Sequence, residues 1–278
     1  MLVVYHHDCI DGLMAAWLMK QLGEGDEFGT HFKSAVYGTE IPEVHPGETV
    51  YIVDFSYPAE KLVELCKVAG KVVVLDHHET AVNQIEWYFM ENPQPDNLEL
   101  ILDQTRSGTG LVWALLKPTT DIMGLPKYVE DHDLWNFKYP ETKAIMQAIF
   151  QHPLTFDSID VLSVYPLERL IDAGQPLLNK QQTQIDWHIE NSLRLVEFEG
   201  YMVPLLNAPR YMCSVLGDYL GEKYPFVVIY HDDAKYRKYS LRSNKKTGIE
   251  VKAFAEKRGG GGHVNAAAFT VPLQPTDF

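Results

Sequence analysis

The chain has 278 residues, of which 46% are hydrophobic and 22% charged, and its net charge is −14. That length suggests about two domains of ordinary soluble composition, and the acidic balance argues against long DNA or RNA held along an open basic surface. No apolar run approaches the ~20 residues that span a bilayer, so no membrane partner is expected. The amino terminus lacks the basic segment and long apolar stretch of a signal peptide. Cys9, Cys66 and Cys213 are too few and too widely spaced for a disulfide framework, which implies a reducing cytoplasm.

Leu2 to Tyr5 reads as a short strand that empties into His6-His7-Asp8-Cys9-Ile10-Asp11-Gly12. A helix with Leu13, Ala16, Trp17 and Leu18 on its apolar face follows, and Gly12 suits the tight strand-to-helix turn. Phe32–Tyr37 and Thr49–Val53 are the next strands, the latter ending in Asp54-Phe55-Ser56. Pro58 opens a helix to Val68, Gly70 ends it, and Lys71–Leu75 is a fourth strand running into Asp76-His77-His78. The unbroken Val72-Val73-Val74-Leu75 run is that of a strand buried on both faces. This alternation predicts an α/β fold with a parallel sheet and helices on its faces.

Residues 91–97 are turn-rich, and Ser107-Gly108-Thr109-Gly110 precedes an apolar helix to Leu116. A helix started by Pro126 carries Glu130-Asp131-His132-Asp133-Leu134-Trp135. Residues 140–196 are mostly helical, with 175–196 as one long helix linking two lobes. A second α/β unit follows, with strands at 201–206, 226–230 and 236–242 and helices around 214–222 and 251–257. Gly259–Gly262 and His263 come next, and Asn265-Ala266-Ala267-Ala268 is read as the start of a helix of small residues. The expected domains are 1–140, a helical linker 141–196, and 197–278.

Four acidic or His-bearing clusters fall in the first half: His6/Asp8/Asp11, Asp54, Asp76/His77/His78 and Asp131/Asp133. Three of them follow strands, at the sheet edge where open α/β folds bind ligands. Carboxylate and imidazole donors without a thiolate cage suit Mn²⁺, and Mg²⁺ or Fe²⁺, better than a structural zinc. The donors suffice for two ions clamping a phosphoryl group, with the lone Asp54 as natural bridge. Acidic neighbours disfavour Cys9 as a nucleophilic thiolate. Near the end, nine Lys or Arg stand against two acids between Lys235 and Arg258. The glycine run beside them lets backbone N–H groups face an anion, with His263 as a further donor and Arg242-Ser243 as phosphate partners.

These motifs resemble the DHH phosphoesterases. Asp76-His77-His78 after an apolar strand is similar to the family signature, Asp54 in Val-Asp-Phe-Ser to its second motif, and Glu130–Trp135 to its fourth. Gly259–His263 with Asn265–Phe269 resembles the glycine-rich signature of the family's DHHA1 lobe. The resemblance implies a two-lobed protein in which His6, Asp11, Asp54, His77 and Asp131 bind two Mn²⁺ ions, with Mg²⁺ or Co²⁺ as substitutes. It implies that His78 faces the substrate phosphate and that Asp76 orients a ligand. Arg242, Ser243, Gly260, Gly261, Gly262 and His263 would hold a terminal phosphate or adjoining nucleotide.

One departure is plain: the family's first motif carries Asp-x-Asp, and Cys9 stands two before Asp11. Either Asp8 or Cys9 replaces the lost ligand, His7 rivals His6, and Asp133 rivals Asp131. The activity implied is a Mn²⁺-dependent phosphodiesterase for short RNA or linear dinucleotides such as pGpG. The alternatives are an exopolyphosphatase, a phosphatase of 3′-phosphoadenosine 5′-phosphate, or a degenerate nucleotide-binding sensor. The oligomeric state is left open, a homodimer included.

Overall fold

A computed structural model describes residues 1–20 and 29–273. The chain divides into two compact units, Met1–Leu178 and Asn179–Phe278. No described helix is long and apolar enough to cross a membrane.

The first unit is built on β1 (Leu2–His6), β2 (His31–Ala35), β3 (Thr49–Val53), β4 (Lys71–Asp76) and β5 (Leu98–Leu102). All pairs are parallel, in the order β2-β1-β3-β4-β5. The unbroken apolar run of β4 serves two cores at once. Val72 and Val74 pack with Leu62 and Leu65 of α2 (Ala59–Cys66) and Ile85 of α3 (Glu79–Glu91). Val73 and Leu75 pack with Ala15, Ala16 and Leu18 of α1 (Ile10–Met19) and with Leu111 and Val112 of α4 (Gly108–Leu116). A strand covered on both faces has no polar side to alternate with.

Sequence periodicity predicts neither β5 nor α3. β5 reads Leu-Glu-Leu-Ile-Leu and is an edge strand, identified by its pairing with β4 rather than by its own pattern.

Helices α5 (Gly124–Asp133), α6 (Thr142–Ile149) and α7 (Phe156–Ser163) close a third core of the first unit, against Ile10, Leu13 and Met14 of α1. The 26-residue α8 (Leu167–Ser192) starts on that core through Leu170 and reaches the second unit through Ile185. Residues 141–196 are thus divided between the two units. α8 crosses α6 so closely that a Cβ on Gly174 would run into the Ala144 carbonyl oxygen. Backbone cannot yield there as a side chain can. Gly174→Ala should therefore cost about 3 kcal/mol in a urea titration, the upper range for overpacking; an unchanged midpoint would contradict this crossing.

The second unit holds a six-stranded mixed sheet, ordered β10-β11-β9-β8-β7-β6. Its strands are β6 (Arg194–Phe198), β7 (Tyr201–Asn207), β8 (Phe226–Asp232), β9 (Tyr236–Ser243), β10 (Gly261–His263) and β11 (Ala266–Pro272). Helices α9 (Cys213–Gly221) and α10 (Val251–Glu256) pack on it. Two expectations are corrected here. The long predicted helix ends at Ser192, and 194–198 pairs antiparallel with β7. Asn265–Ala268 does not start a helix, because Ala266–Pro272 pairs with both β9 and the glycine segment.

Candidate metal centre

Two groups of ligand atoms gather at the carboxyl edge of the first sheet. One is His6, Asp54 and His78; the other is Asp11, His77 and Asp133. His6 ends β1, Asp54 directly follows β3, and His77 and His78 follow β4. Asp11 enters from the first turn of α1 and Asp133 from the last residue of α5. Asp54 takes a left-handed backbone, φ 53°, while its N–H still donates to the Leu75 carbonyl. That turn swings its carboxylate between the two groups. Oδ2 lies 3.5 Å from His6 Nδ1, and Oδ1 lies 3.1 Å from His77 Nε2 and 3.9 Å from His78 Nδ1. His77 Nε2 is also 3.5 Å from Asp133 Oδ2.

Asp76 is fully buried and organises the corner. Its Oδ1 accepts from the N–H groups of His77 and His78 and from His78 Nδ1 at 2.7 Å. Using Nδ1 this way leaves the His78 Nε2 lone pair for a ligand role, the usual arrangement of metal-binding histidines. Asp11 is held from behind, with Oδ1 accepting from the Ser107 hydroxyl at 2.7 Å and the Thr109 N–H at 3.2 Å. Gly108 must be glycine, because a Cβ there would strike Asp54 and come 2.9 Å from Asp11 Oδ2.

The charges are strongly interdependent. Burial and the nearby Asp133 and Asp54 charges push the Asp11 carboxyl well above its usual range. Burial likewise pushes Asp133 up to about 6, against the pull of His77. Burial opposes charge on Asp54 too, yet the facing His6 imidazole, the hydrogen bond with His77 and the nearby His78 hold it well below the usual carboxylate range. For His77 the penalty of burial is outweighed by the Asp54 bond and the Asp133 and Asp11 charges, which raise it to about 9.

The residues fit a divalent cation. His6 Nδ1, Asp54 Oδ2 and Asp11 Oδ2 are buried without a hydrogen-bond partner. Such atoms cost ~1–3 kcal/mol each unless something satisfies them. A cation between imidazole and carboxylate donors would do so, and oxygen and nitrogen donors of this kind suit Mn²⁺ or Mg²⁺.

The structure does not gather every expected ligand. Asp8 has φ 51° and projects into solvent, 3.5 Å from the exposed His7. His7 contacts Ser34, so it is His6 that joins the site. Cys9 is half-buried at the start of α1, outside both ligand groups. Burial and the Asp54 and Asp11 charges push its thiol far up, the opposite of a nucleophile's needs.

Asp131 is buried but committed elsewhere, accepting from the Lys138 and Tyr139 N–H groups and the Thr142 hydroxyl. Asp133 takes the place at the site. The sequence carried a signal for this, since Leu125, Val129 and Asp133 recur at i+4 along the inward stripe of α5. His78 stands among the ligand atoms rather than apart from them. Tyr37 was not anticipated. Its half-exposed ring lies edge-on to both His6 and His78, with centroids 5.8 and 6.0 Å away.

His132, between these two aspartates in sequence, packs instead on Trp135, Phe137 and Phe150. Burial depresses it from 6.5 to about 4. Folding therefore favours neutral imidazole, and that stability is complete above pH 6.5 and lost as pH falls toward 4. Between pH 7 and 5 the loss should be about 2 kcal/mol. The His132→Gln variant should lack this part of the pH slope in paired urea titrations; identical slopes would refute the assignment.

In the second unit, His263, Ala266 and Arg242 share one cross-strand row. Arg242 lays its stem on Gly217 of α9, where any Cβ would collide with it. Burial and the neighbouring Arg210 charge weaken its hold on its proton, and among the described residues no carboxylate pairs with it. Ser243 is committed, its hydroxyl donating to the Ile249 carbonyl and accepting from Asn265.

The glycine run is not an open loop. Gly261 and Gly262 are paired into β10, and a Cβ on Gly260 or Gly262 would meet the backbone of β11. The basic segment is also partly neutralised. Arg237 and Lys238 pair with Asp232 and Asp233, and Lys257 and Arg258 pair with Glu199. The Lys245 side chain lies outside the described residues.

No protein-family model matches the chain. It is 27% identical over 289 residues to the uncharacterized protein R106 of Acanthamoeba polyphaga mimivirus, covering 95% of this chain and 66% of that protein. It is 25% identical over 302 residues to the oligoribonuclease NrnB of Bacillus subtilis, covering 96% and 72%. The chain therefore spans about two thirds of the first relative's length. Among solved structures it resembles PggH, a pGpG-specific phosphodiesterase of Vibrio cholerae, at a TM-score of 0.57 and 15% identity over 99% and 94% of the two chains. It also resembles the DHH domain of PF0399 (0.59, 15%, 98% and 82%) and the exonuclease RecJ bound to manganese (0.52, 14%, 97% and 85%). The chain thus shares the fold of these DHH-domain proteins and carries Asp76-His77-His78 at the edge of its first sheet.

Proposed function

We propose that the chain is a divalent-metal-dependent phosphodiesterase that cleaves short oligoribonucleotides or linear dinucleotides such as pGpG to mononucleotides. The observation that carries this is Asp54, a member of one three-residue ligand group whose Oδ1 lies 3.1 Å from His77 Nε2 of the other. His6, Asp54 and His78 would hold one ion, and Asp11, His77 and Asp133 a second, with Asp54 shared. Such ions, when bound, polarise a phosphoryl oxygen and lower the pKa of a water to near neutrality. The chain's own part is positional. Asp76 fixes His77 and His78, Ser107 and Thr109 fix Asp11, and the left-handed turn at Asp54 aims its carboxylate. A bound cation would favour the ionised forms of buried Asp133 and Asp11, whose carboxyls burial holds above their usual range.

The likeness to an oligoribonuclease and to a pGpG phosphodiesterase favours a short, phosphate-bearing RNA substrate. Mn²⁺ is the ion we assign, and RecJ was solved with manganese. Arg242, with no carboxylate partner among the described residues, is the second unit's best anchor for a terminal phosphate, with His263 in the same row. Ser243 and the glycines shape that row rather than supply its donors. Three free thiols favour a reducing, cytoplasmic setting.

Purified protein given pGpG and Mn²⁺ should release GMP, and chelation should stop it. Competition among pGpG, polyphosphate and 3′-phosphoadenosine 5′-phosphate ranks the substrates. If no mononucleotide appears with Mn²⁺, Mg²⁺ or Co²⁺ while nucleotide still binds, the hydrolase reading fails and a sensor takes its place.

A further inference from the structure

A second polar cavity lies wholly within the first unit, between α4, the 117–122 turn and α5. It has a volume of about 640 Å³, within the range of small-molecule sites. Its lining includes Lys117, Lys127 and Lys138. On a chain of net charge −14, three lysines at one cavity are out of keeping with the average surface.

Their surroundings are more telling than their number. Lys117 Nζ is held 4.7 Å over the Trp113 ring, and Lys127 Nζ is 4.4 and 4.2 Å over the Tyr128 and Tyr139 rings. Lys138 Nζ lies 5.6 Å over Tyr139. Lys117 and Lys127 are only partly exposed. Among the described residues, none of the three has a carboxylate partner.

The carboxylates of the lining are mostly spoken for. Glu130 is taken by Arg106, which also donates to the Gly110 carbonyl. Asp131 is taken by the Lys138 and Tyr139 N–H groups and by Thr142. Asp121 is left against three ammonium groups. Ammonium groups drawn back onto aromatic faces, with no ion pair among the described residues and one carboxylate to three of them, hold a positive field over a concave, partly desolvated space. Such a field is stronger than the same charges would produce on open surface.

We propose that this cavity is a binding site for a small phosphate-bearing anion, separate from the candidate metal centre. With Asp121 supplying one negative charge, the charge of about −2 on a phosphate balances the three lysines, and lysine binds it as a point charge. The source is either a nucleoside monophosphate, whose base would use the aromatic lining, or free inorganic phosphate. Helix α5 borders the cavity with Glu130 and Asp131 and bears Asp133 at the metal centre. A ligand here would therefore act on the same helix that holds a proposed metal ligand. The proposal does not depend on the hydrolase reading.

The test is calorimetric titration of the intact chain, in chelator, with 5′-GMP and separately with inorganic phosphate. The proposal expects a saturable site whose Kd rises at least tenfold in Lys117→Glu/Lys127→Glu, while Arg242→Ala leaves that site unchanged. Binding of GMP tenfold tighter than phosphate would identify a nucleotide site. Equal binding would identify a phosphate site. Should the charge-reversed protein not melt like the wild type, Lys117→Gln/Lys127→Gln serves instead. Absence of saturation by either probe at millimolar concentration, or a Kd indifferent to both lysine pairs, overturns the proposal.

Discussion

Asp54→Asn is expected to lower pGpG turnover by about a thousandfold and to remove the thermal stabilisation that Mn²⁺ confers. The carboxylate is buried, and its two oxygens face different histidines, His6 on one side and His77 with His78 on the other. An amide of the same shape has one neutral oxygen and one donor nitrogen, so it cannot serve both groups. Loss of a shared anionic ligand removes several kcal/mol of charge stabilisation, and each 1.36 kcal/mol is tenfold in rate, hence ~10³. Metal that binds only the folded state raises Tm by mass action. A thermal scan with and without Mn²⁺ therefore reads the site independently of turnover. A variant keeping both the Mn²⁺ shift and its activity would show that Asp54 is not the shared ligand.

The second large effect separates two aspartates only two residues apart. Asp133→Asn should cut turnover and Mn²⁺ affinity by at least about a hundredfold, given its place beside His77. The apo fold should stay close to wild type, because Asp133 sits in a cluster where burial already disfavours its charge. Asp131→Asn should do the reverse. Its two oxygens accept from two backbone N–H groups and the Thr142 hydroxyl, and so close the turn between α5 and α6. Losing charged acceptors of buried donors costs ~2–4 kcal/mol, read as a lower urea midpoint with Mn²⁺ binding retained at temperatures where the variant is folded. If Asp131→Asn instead loses the metal while Asp133→Asn loses stability, the assignment is inverted.

Much of this was legible before the fold was known. The Val72–Leu75 run marked a strand buried on both faces, and Asp54, His77 and His78 stood where such strands end. Those are local facts, set by side-chain hydrophobicity and by the two-residue period of a strand. The choice between neighbours was not local. His6 over His7, Asp133 over Asp131, and the exclusion of Asp8 each depend on a backbone turn or a helix face. Rotating a residue pair by one position moves a carboxylate from the candidate metal centre to solvent or to a hydrogen-bonded turn. Composition is blind to that rotation.

The second unit shows the same division. Gly259–His263 and Arg242 were marked by residue type alone, as a flexible segment and a guanidinium near the end of a strand. Whether glycine served an anion or a close packing could be decided only by its neighbour. Gly261 and Gly262 pair with Ala267 and Ala268 in a hairpin whose backbones leave no room for a Cβ at Gly260 or Gly262. The alanines that favour a helix by propensity are held as a strand between β9 and β10, because sheet pairing on both sides outweighs a preference of a few tenths of a kcal/mol per residue. The sequence by itself determined which residue types stand at the ends of which strands. Tertiary structure decided which of them face one another, because facing depends on turns and registers that join distant parts of the chain.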